Sequence, residues 1–331
     1  MRISFSACKP AQAAPPLVNF PGSGGGLINM DQLIIPRRQR HKDKVVVVMG
    51  STGTGKSRLS IDLATHFDAE IINSDKMQVY KGLNIVTNKV TDEECKGVPH
   101  HLLGFIDPED DFTADDFVRH ASLAAENITR RGRVPIIAGG SNSCIKALVN
   151  DDIEFRSKYE LCFLWVDVSV PVLHSFVSRR VDRMVDTGLV EEAKEFFEPG
   201  GDYTRGIRRA IGVPEMDEFF RNEFYDDSER SKVLEEAINQ IKVNTCKLAC
   251  CQLGNILRLG EQLDRRMYRL NATEAFLRRG VEASEAWERL VVGPGSKIVG
   301  RFLHEGRIDY VSAFTTAPPM ATTNAVAAAI R

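Results

Sequence analysis

Apolar and polar residues follow one another along the first half of the chain in a pattern that predicts strands separated by helices. The apolar runs Val45–Met49, Val134–Ala138 and Leu161–Val168 are typical of strands buried on both faces of a parallel sheet. Glu70–Asn73 predicts a further strand, and amphipathic segments such as Lys56–Phe67 predict helices between the strands. This alternation indicates a doubly wound α/β core.

The pattern changes after Pro171, where charged helical segments at about 172–197, 228–254 and 254–290 follow one another without predicted strands. We therefore expect a second region that is entirely helical. The chain then divides into a leader at 1–42, an α/β transferase core at 43–215, a helical region at 216–310 and a low-complexity tail at 311–331.

The leader has a composition of its own. It ends in the basic run 37–42, and Asp31 is its only acidic residue. Basic, acid-poor leaders are typical of organelle transit peptides, and a disordered tail is the alternative. The rest of the composition is that of an ordinary globular protein, with a net charge of −2 over 331 residues that does not indicate a nucleic-acid partner. The seven cysteines lack zinc-site spacing, and no apolar stretch is long enough to span a membrane.

The segment Gly50–Ser57 matches the pattern G-x-x-x-x-G-K-[ST] between a predicted strand and a predicted helix. Glycines let backbone N–H groups point at phosphate oxygens, and the helix N-terminus adds unpaired donors. Lys56 supplies a cation, and the Ser57 hydroxyl can hold Mg²⁺. The pattern thus predicts a P-loop NTPase-like fold with a phosphate-binding loop made of Gly50, Ser51, Thr52, Gly53, Thr54, Gly55, Lys56 and Ser57.

Further polar residues follow the other strands, and ligands collect at these strand ends in open α/β sheets. Asp75 comes just after the second predicted strand, where it can serve as a general base, as part of a metal shell or as a helix N-cap. Ser141, after Gly139 and Gly140, predicts a second anion contact or a tight turn. Asp167 fits a helix cap better than a water-mediated magnesium ligand.

Three arginines, Arg179, Arg180 and Arg183, lie on one predicted helix at a spacing that brings them together. Such a group can close over a diphosphate, and a solvated basic face is the alternative. The adjacent residues His100 and His101 cannot both face one site on a strand, so we interpret them as structural.

Four blocks of sequence, at 50–57, 71–83, 98–103 and 135–141, resemble the isopentenyltransferase family over about residues 44–220. This family includes the tRNA dimethylallyltransferases and the adenylate isopentenyltransferases that make cytokinins. Segments 84–89 and 205–215 look like the plant adenylate branch. The tRNA enzymes usually carry G-T-A-K at the first place, a longer helical insertion after the G-G-[TS] turn and, in eukaryotes, a C-terminal zinc finger. These departures argue against tRNA as a partner.

The resemblance implies transfer of the dimethylallyl group of dimethylallyl diphosphate to N6 of the adenine of ATP or ADP, and less of AMP. It implies that Asp75 is the base and that Thr52 touches the reacting region. Lys56, Ser57 with Mg²⁺, Arg180 and Arg183 would then hold the diphosphate. Candidates for acceptor contacts are Ser74, Lys89 and Arg208.

The resemblance also implies a plastid location, with the cytoplasm as the alternative. Three rival functions remain open: a tRNA dimethylallyltransferase, a small-molecule kinase on the same loop fold, and a nucleotide-binding module without catalysis.

Overall fold

A six-stranded sheet organises the computed structural model, which describes residues 42–222, 226–263 and 267–305. The strand order is β3-β2-β4-β1-β5-β6, and every neighbouring pair is parallel. The strands are β1 (Asp43–Met49), β2 (Ala69–Asn73), β3 (His100–His101), β4 (Val134–Ala138), β5 (Tyr159–Asp167) and β6 (Met267–Asn271). This architecture confirms the predicted doubly wound parallel sheet.

Helices connect the strands and cover both faces of the sheet. They are α1 (Lys56–Phe67), α2 (Asp92–Cys95), α3 (Ala114–Arg130), α4 (Asn142–Lys146), α5 (Ile153–Lys158), α6 (Val170–Asp186), α7 (Leu189–Glu195), α8 (Asp217–Arg221), α9 (Asp227–Gln262), α10 (Thr273–Leu277), α11 (Gly280–Trp287) and α12 (Gly293–His304). None of the helices within the described ranges is long and apolar enough to cross a membrane.

The central strand β1 shows why its sequence is apolar throughout. Val45, Val47 and Met49 pack into the apolar cluster on one face of the sheet, and Val46 and Val48 pack into the cluster on the other. Side chains alternate between the faces of a strand, so a strand with helices on both sides buries every residue. All five side chains are inaccessible to solvent.

One prediction about the second region is wrong. The segment 254–290 was expected to be entirely helical, but Met267–Asn271 forms β6 at the edge of the sheet. This strand alternates a buried Leu270 with exposed neighbours, a pattern too short to stand out from the helical segments around it. The predicted helical region therefore extends the sheet of the core.

The other helix predictions need smaller changes. The segment predicted as one helix at about 172–197 is divided into α6 and α7 by Gly188, whose φ of 107° is a conformation that favours glycine. Thr113 caps α3 in a reciprocal capping box with Asp116. Most of the predicted leader and tail lies outside the described residues.

The buried side chain of Glu70, near the amino end of β2, bonds to residues of neighbouring segments. The Glu70 carboxylate accepts hydrogen bonds from Arg131 at 2.6 Å and Arg133 at 3.1 Å, and it contacts His101 Nε2 at 2.6 Å. Burial alone would raise the pKa of Glu70, but Arg131, His101 and Arg133 together lower it to about 2. His101 is therefore structural, as predicted from its position, and His100 contacts the Val98 carbonyl oxygen.

We expect Glu70→Gln to lower the free energy of unfolding at pH 7 by about 1–3 kcal/mol, because the partly exposed side chains of Arg131, Arg133 and His101 lose a buried charged acceptor. The folded pKa lies below the unfolded value of 4.5, so this stabilisation is complete above pH 4.5 and is lost as the pH falls toward 2. Urea unfolding at pH 7 and pH 3 measures both effects. Glu154→Gln, at an exposed ion pair, is the control, and equal losses in the two variants would contradict this account.

Candidate active site

The phosphate-binding loop lies between β1 and α1, at the carboxyl edge of the sheet. Gly53 and Gly55 have φ angles of 82° and 91°, which favour glycine. They are also enclosed: a Cβ atom on Gly53 would lie 2.6 Å from Val177, and one on Gly55 would lie 2.5 Å from the Trp287 ring. The loop therefore requires glycine at both positions for conformation and for space.

Two side chains fix the loop from within. Thr54 Oγ1 donates to the Ser51 carbonyl oxygen at 2.9 Å, and Lys56 Nζ donates to the same oxygen at 2.8 Å. Burial lowers the pKa of Lys56 to about 8; Asp75 opposes this shift and Arg180 adds to it. A desolvated ammonium group in the loop is suited to an anionic ligand, whose negative charge would compensate its own.

Asp75 lies in the turn after β2, and its backbone N–H donates to Asn73 Oδ1 at 3.1 Å. Its own Oδ1 accepts the Met77 N–H at 3.0 Å, while Oδ2 lies on the side of Gly140, where a Cβ atom would be 3.7 Å away. The residues that follow form turns, so Asp75 does not cap a helix as one interpretation required. One carboxylate oxygen therefore orients the side chain, and the other faces the second glycine turn.

Arg180 reaches the loop from α6. Its Nη2 donates to Thr52 Oγ1 at 3.0 Å, and its Nε is buried without a hydrogen-bond partner among the described residues. Burial lowers the pKa of Arg180 to about 10, against the effect of Asp75 and together with that of Arg183. Arg180 lines the cavity, and a buried guanidinium N–H without a partner favours hydrogen bonding to an oxyanion.

The other two arginines of α6 contribute less to this group. Arg183 is exposed at the cavity and stacks over Phe176, with its guanidinium carbon 5.6 Å from the ring centroid. Arg179 is exposed too, and its Nε donates to the Ser175 carbonyl oxygen on its own helix.

The phosphate loop, Asp75 and the arginines of α6 line one cavity of about 1470 Å³. Small-molecule sites usually measure about 300–1,000 Å³, so this cavity has room for two substrates. Its walls are the phosphate loop, the turn at Asp75, the segment 86–88, one face of α6, the middle of α9 and the segment 275–287. A grouping of three or more potential metal-ligating side chains is not found within residues 42–222, 226–263 and 267–305.

The predicted loop residues divide into two groups. Thr52, Gly53, Gly55, Lys56 and Ser57 line the cavity. The remaining members of the motif instead hold the loop in shape: Ser51 and Thr54 are buried and hydrogen-bonded, and a Cβ atom at Gly50 would lie 2.5 Å from Thr54 Oγ1.

Several residues predicted as contacts are not among those that line the cavity. Lys89 Nζ donates to the Gly82 carbonyl oxygen and to Asn84 Oδ1, and Arg208 forms ion pairs with Glu109 and Glu198. Their cations are thus engaged elsewhere.

Ser74 and Ser141 are also not among the cavity-lining residues. Ser74 is buried behind Gly139. The Ser141 hydroxyl oxygen accepts the Lys76 N–H at 2.8 Å and so supports the turn at Asp75.

Asp167 does not cap a helix and instead pairs with an arginine. Its Oδ2 accepts Arg269 Nε at 2.8 Å and Nη2 at 2.5 Å, in an ion pair that joins β5 to β6. The helix α6 begins after Ser169 without a side-chain cap. Asp167, at the end of β5, therefore holds the edge strand β6. Sequence analysis did not predict this strand.

Three residues of the site carry no local sequence signal. Trp287 encloses Gly55, and its Nε1 donates to Asp62 Oδ2 at 3.2 Å. Arg209 lines the cavity, and its buried Nε has no partner in the part of the chain that the structure describes. Gln252 bonds to the loop from α9. Each becomes visible only through contacts between distant segments.

Comparison with known proteins identifies the family. The model of the IPP transferase family matches residues 78–158 and 151–256, which together span more than half of the chain. Adenylate isopentenyltransferase 5, chloroplastic, of Arabidopsis thaliana is 63% identical over 268 residues, which cover 80% of this chain and 81% of that protein. Adenylate isopentenyltransferase 7, mitochondrial, of the same plant is 51% identical over 306 residues, covering 91% and 90%.

A solved structure agrees with the fold. A eukaryotic dimethylallyltransferase acting on tRNA matches with a TM-score of 0.70 at 24% identity, over 80% of each chain. These findings confirm the resemblance drawn from the four sequence blocks, and the chain belongs to the IPP transferase family.

Proposed function

We propose that this protein transfers the dimethylallyl group of dimethylallyl diphosphate to N6 of the adenine of ATP or ADP, and less of AMP, as the first step of cytokinin biosynthesis. The observation that carries the proposal is the cavity itself. A phosphate loop and the Asp75 carboxylate open into one space with room for two substrates. The high identity to the plant adenylate isopentenyltransferases supports an adenine nucleotide as acceptor.

The reaction is an alkyl transfer. The N6 lone pair of adenine attacks the allylic carbon, the bond from that carbon to the diphosphate oxygen breaks, and diphosphate leaves with the electron pair. N6 then loses a proton, and Asp75 accepts it as general base. The Met77 N–H on Oδ1 orients the carboxylate, so that Oδ2 is the oxygen that takes the proton.

Charge that develops on the leaving diphosphate needs partners in a desolvated site. Lys56 in the loop and the unpartnered Nε of Arg180 supply positive charge on two sides of the cavity. The Thr52 hydroxyl, held by Arg180 at 3.0 Å, orients the donor at the reacting end. Arg183 adds a second, more exposed cation on the same helix.

Mg²⁺ fits this site as a companion of the diphosphate. The Ser57 hydroxyl is exposed to the cavity directly after Lys56, and magnesium prefers oxygen ligands shared between a protein, substrate phosphates and water. When bound, the ion would neutralise charge on the diphosphate. Ser57 is the side chain we propose as its ligand.

For the acceptor phosphates, a cation that lines the cavity fits better than Lys89 or Arg208, which are paired within the protein. Arg209 is the adjacent alternative to Arg208: it lines the cavity, and its Nη2 donates to the Tyr80 hydroxyl at 3.3 Å while its Nε is buried and unpartnered among the described residues. We propose Arg209 as an acceptor contact in place of Lys89 and Arg208.

We further propose that residues 1–42 direct the protein to an organelle, with the plastid first and a cytoplasmic location as the alternative. The basic, acid-poor composition of that segment and the words chloroplastic and mitochondrial in the names of the two relatives support this proposal.

Labelled dimethylallyl diphosphate, incubated with AMP, ADP, ATP or unmodified tRNA in parallel, tests the function. We expect N6-dimethylallyl products from ADP and ATP, less product from AMP and none from tRNA, measured by chromatography and mass spectrometry. A product on tRNA alone would favour the tRNA dimethylallyltransferase alternative, and no product on any acceptor would overturn the proposal.

Asp75→Asn tests the base directly. The amide keeps the oxygen that accepts the Met77 N–H but cannot take a proton, so we expect transfer to fall by about 10²–10⁴-fold. Binding of dimethylallyl diphosphate, measured by calorimetry, should remain close to that of the wild type. Asp107→Asn, at an exposed ion pair with Lys81, is the matched control. Full activity in the Asp75 variant would show that another group accepts the proton.

A further inference from the structure

The side chain of Gln252 joins two turns of the active site that are distant in sequence. It extends from α9 and is buried, with 8% of its surface exposed. Its Oε1 accepts the Thr52 N–H of the phosphate loop at 2.6 Å, and its Nε2 donates to the Gly140 carbonyl oxygen at 3.0 Å. Both ends of the amide are therefore used, one on each turn.

Neighbouring bonds show that this part of α9 is built as a support. Ser51 Oγ donates to the Ala249 carbonyl oxygen at 2.9 Å, and Asn142 Nδ2 donates to the Gln252 carbonyl oxygen at 3.1 Å. A Cβ atom at Gly140 would lie 2.5 Å from Gln252 Nε2, so glycine at that position leaves the space that the amide fills. The Gln252 amide is therefore enclosed both at the phosphate loop and at Gly140.

The hydrogen bond between the Thr52 N–H and Gln252 Oε1 changes what Thr52 can offer to a ligand. In a phosphate loop the backbone N–H groups are the usual donors to phosphate oxygens. Here the Thr52 N–H is already taken by Gln252, and the Thr52 hydroxyl is held by Arg180 Nη2 at 3.0 Å. Gln252 thus withholds one loop amide from the ligand and keeps the hydroxyl of the same residue beside the arginine.

The Nε2 end of the Gln252 amide affects the position of Asp75 through Gly140. The turn that contains Gly140 contacts the Asp75 segment on both sides: Ser141 N donates to the Ser74 carbonyl oxygen at 3.2 Å, and Ser141 Oγ accepts the Lys76 N–H at 2.8 Å. The Asp75 carboxylate lies next to Gly140 itself. A side chain that fixes Gly140 therefore also fixes the position of the carboxylate.

We propose that Gln252 is a positioning residue for the transfer reaction, which sets the distance between the donor-holding pair Thr52–Arg180 and the base Asp75. It touches neither substrate in this account and acts through Thr52 and Gly140. This role rests on the proposed function and deepens it, because Gln252 would keep the Thr52–Arg180 pair and Asp75 at a fixed separation.

Gln252→Leu removes both hydrogen bonds with little change in volume. We expect kcat to fall on the order of 10²-fold, because small misplacements of reacting groups have effects of that size. Inorganic diphosphate, measured by calorimetry, should bind as tightly as to the wild type or more tightly, because the released Thr52 N–H becomes available to it. Gln262→Leu, at an exposed glutamine of the same helix, is the matched control and should change neither quantity.

A purely structural role predicts a different result. In that case Gln252→Leu would lower the melting temperature and weaken diphosphate binding in parallel with the loss of kcat. That result, or an unchanged kcat, would overturn the proposal. The two failures are also separable: a wild type that forms no prenylated nucleotide contradicts the proposed function, while the diphosphate affinities of the two proteins still test whether Gln252 withholds the Thr52 amide.

Gln252→Glu provides a second variant that retains the size and shape of the side chain. A neutral carboxyl group can accept the Thr52 N–H and donate to the Gly140 carbonyl oxygen, whereas the ionised form opposes that carbonyl with negative charge. Burial favours the neutral form, so rescue should appear within the assay range. We expect the ratio of variant to wild-type kcat to rise as the pH falls from 8 to 5.

Of the charged groups that face this site, Asp75 favours the neutral carboxyl group, whereas Lys56 and Arg180 favour the ionised one. A ratio that falls as the pH falls from 8 to 5 would contradict the positioning role, because only the neutral group can make both hydrogen bonds.

Discussion

The pairing of β1 with β4 on one side and β5 on the other brings together the loops that carry the phosphate-binding and base groups of the cavity. Val46 stands opposite Ile136 of β4 and Cys162 of β5, and β2 continues the parallel array beyond β4. Because all of these strands run in one direction, the phosphate loop, the turn at Asp75 and the glycine turn at 139–141 emerge at the same edge. The apolar residues that bury β1 on both faces therefore also bring the donor side and the base side of the site together.

The cavity contains more positive charge than its surroundings compensate. Burial lowers the pKa of both Lys56 and Arg180, and Asp75 opposes the shift in each case. The charged forms of these groups become more favourable when an anion arrives, because its negative charge compensates for their desolvation, and this attraction contributes to the free energy of ligand binding. A diphosphate that gains charge as it leaves benefits from this arrangement more than the intact donor does, which is the requirement for catalysis.

Sequence analysis succeeded where short segments carry the information. The loop Gly50–Ser57, the buried strands and the position of Asp75 depend on local spacing and on periods of two or 3.6 residues. It failed where the signal lies in contacts between distant segments. Gln252 bonds to residues more than a hundred positions away, and Trp287 packs on Gly55 although nothing in its own segment indicates this. The choice between Arg208 and Arg209 depends on the orientation of one short helical turn, at 206–209, which spacing alone does not resolve.

We propose that the phosphate loop holds a leaving diphosphate and that a nucleoside triphosphate, when bound, is the acceptor. Phosphorus NMR of a reaction containing ATP and dimethylallyl diphosphate tests it directly. We expect that diphosphate is released only from the prenyl donor, while the modified nucleotide keeps all three phosphates. Orthophosphate and ADP formed from ATP in the absence of the prenyl donor would contradict it and would favour a kinase or an ATPase on the same fold.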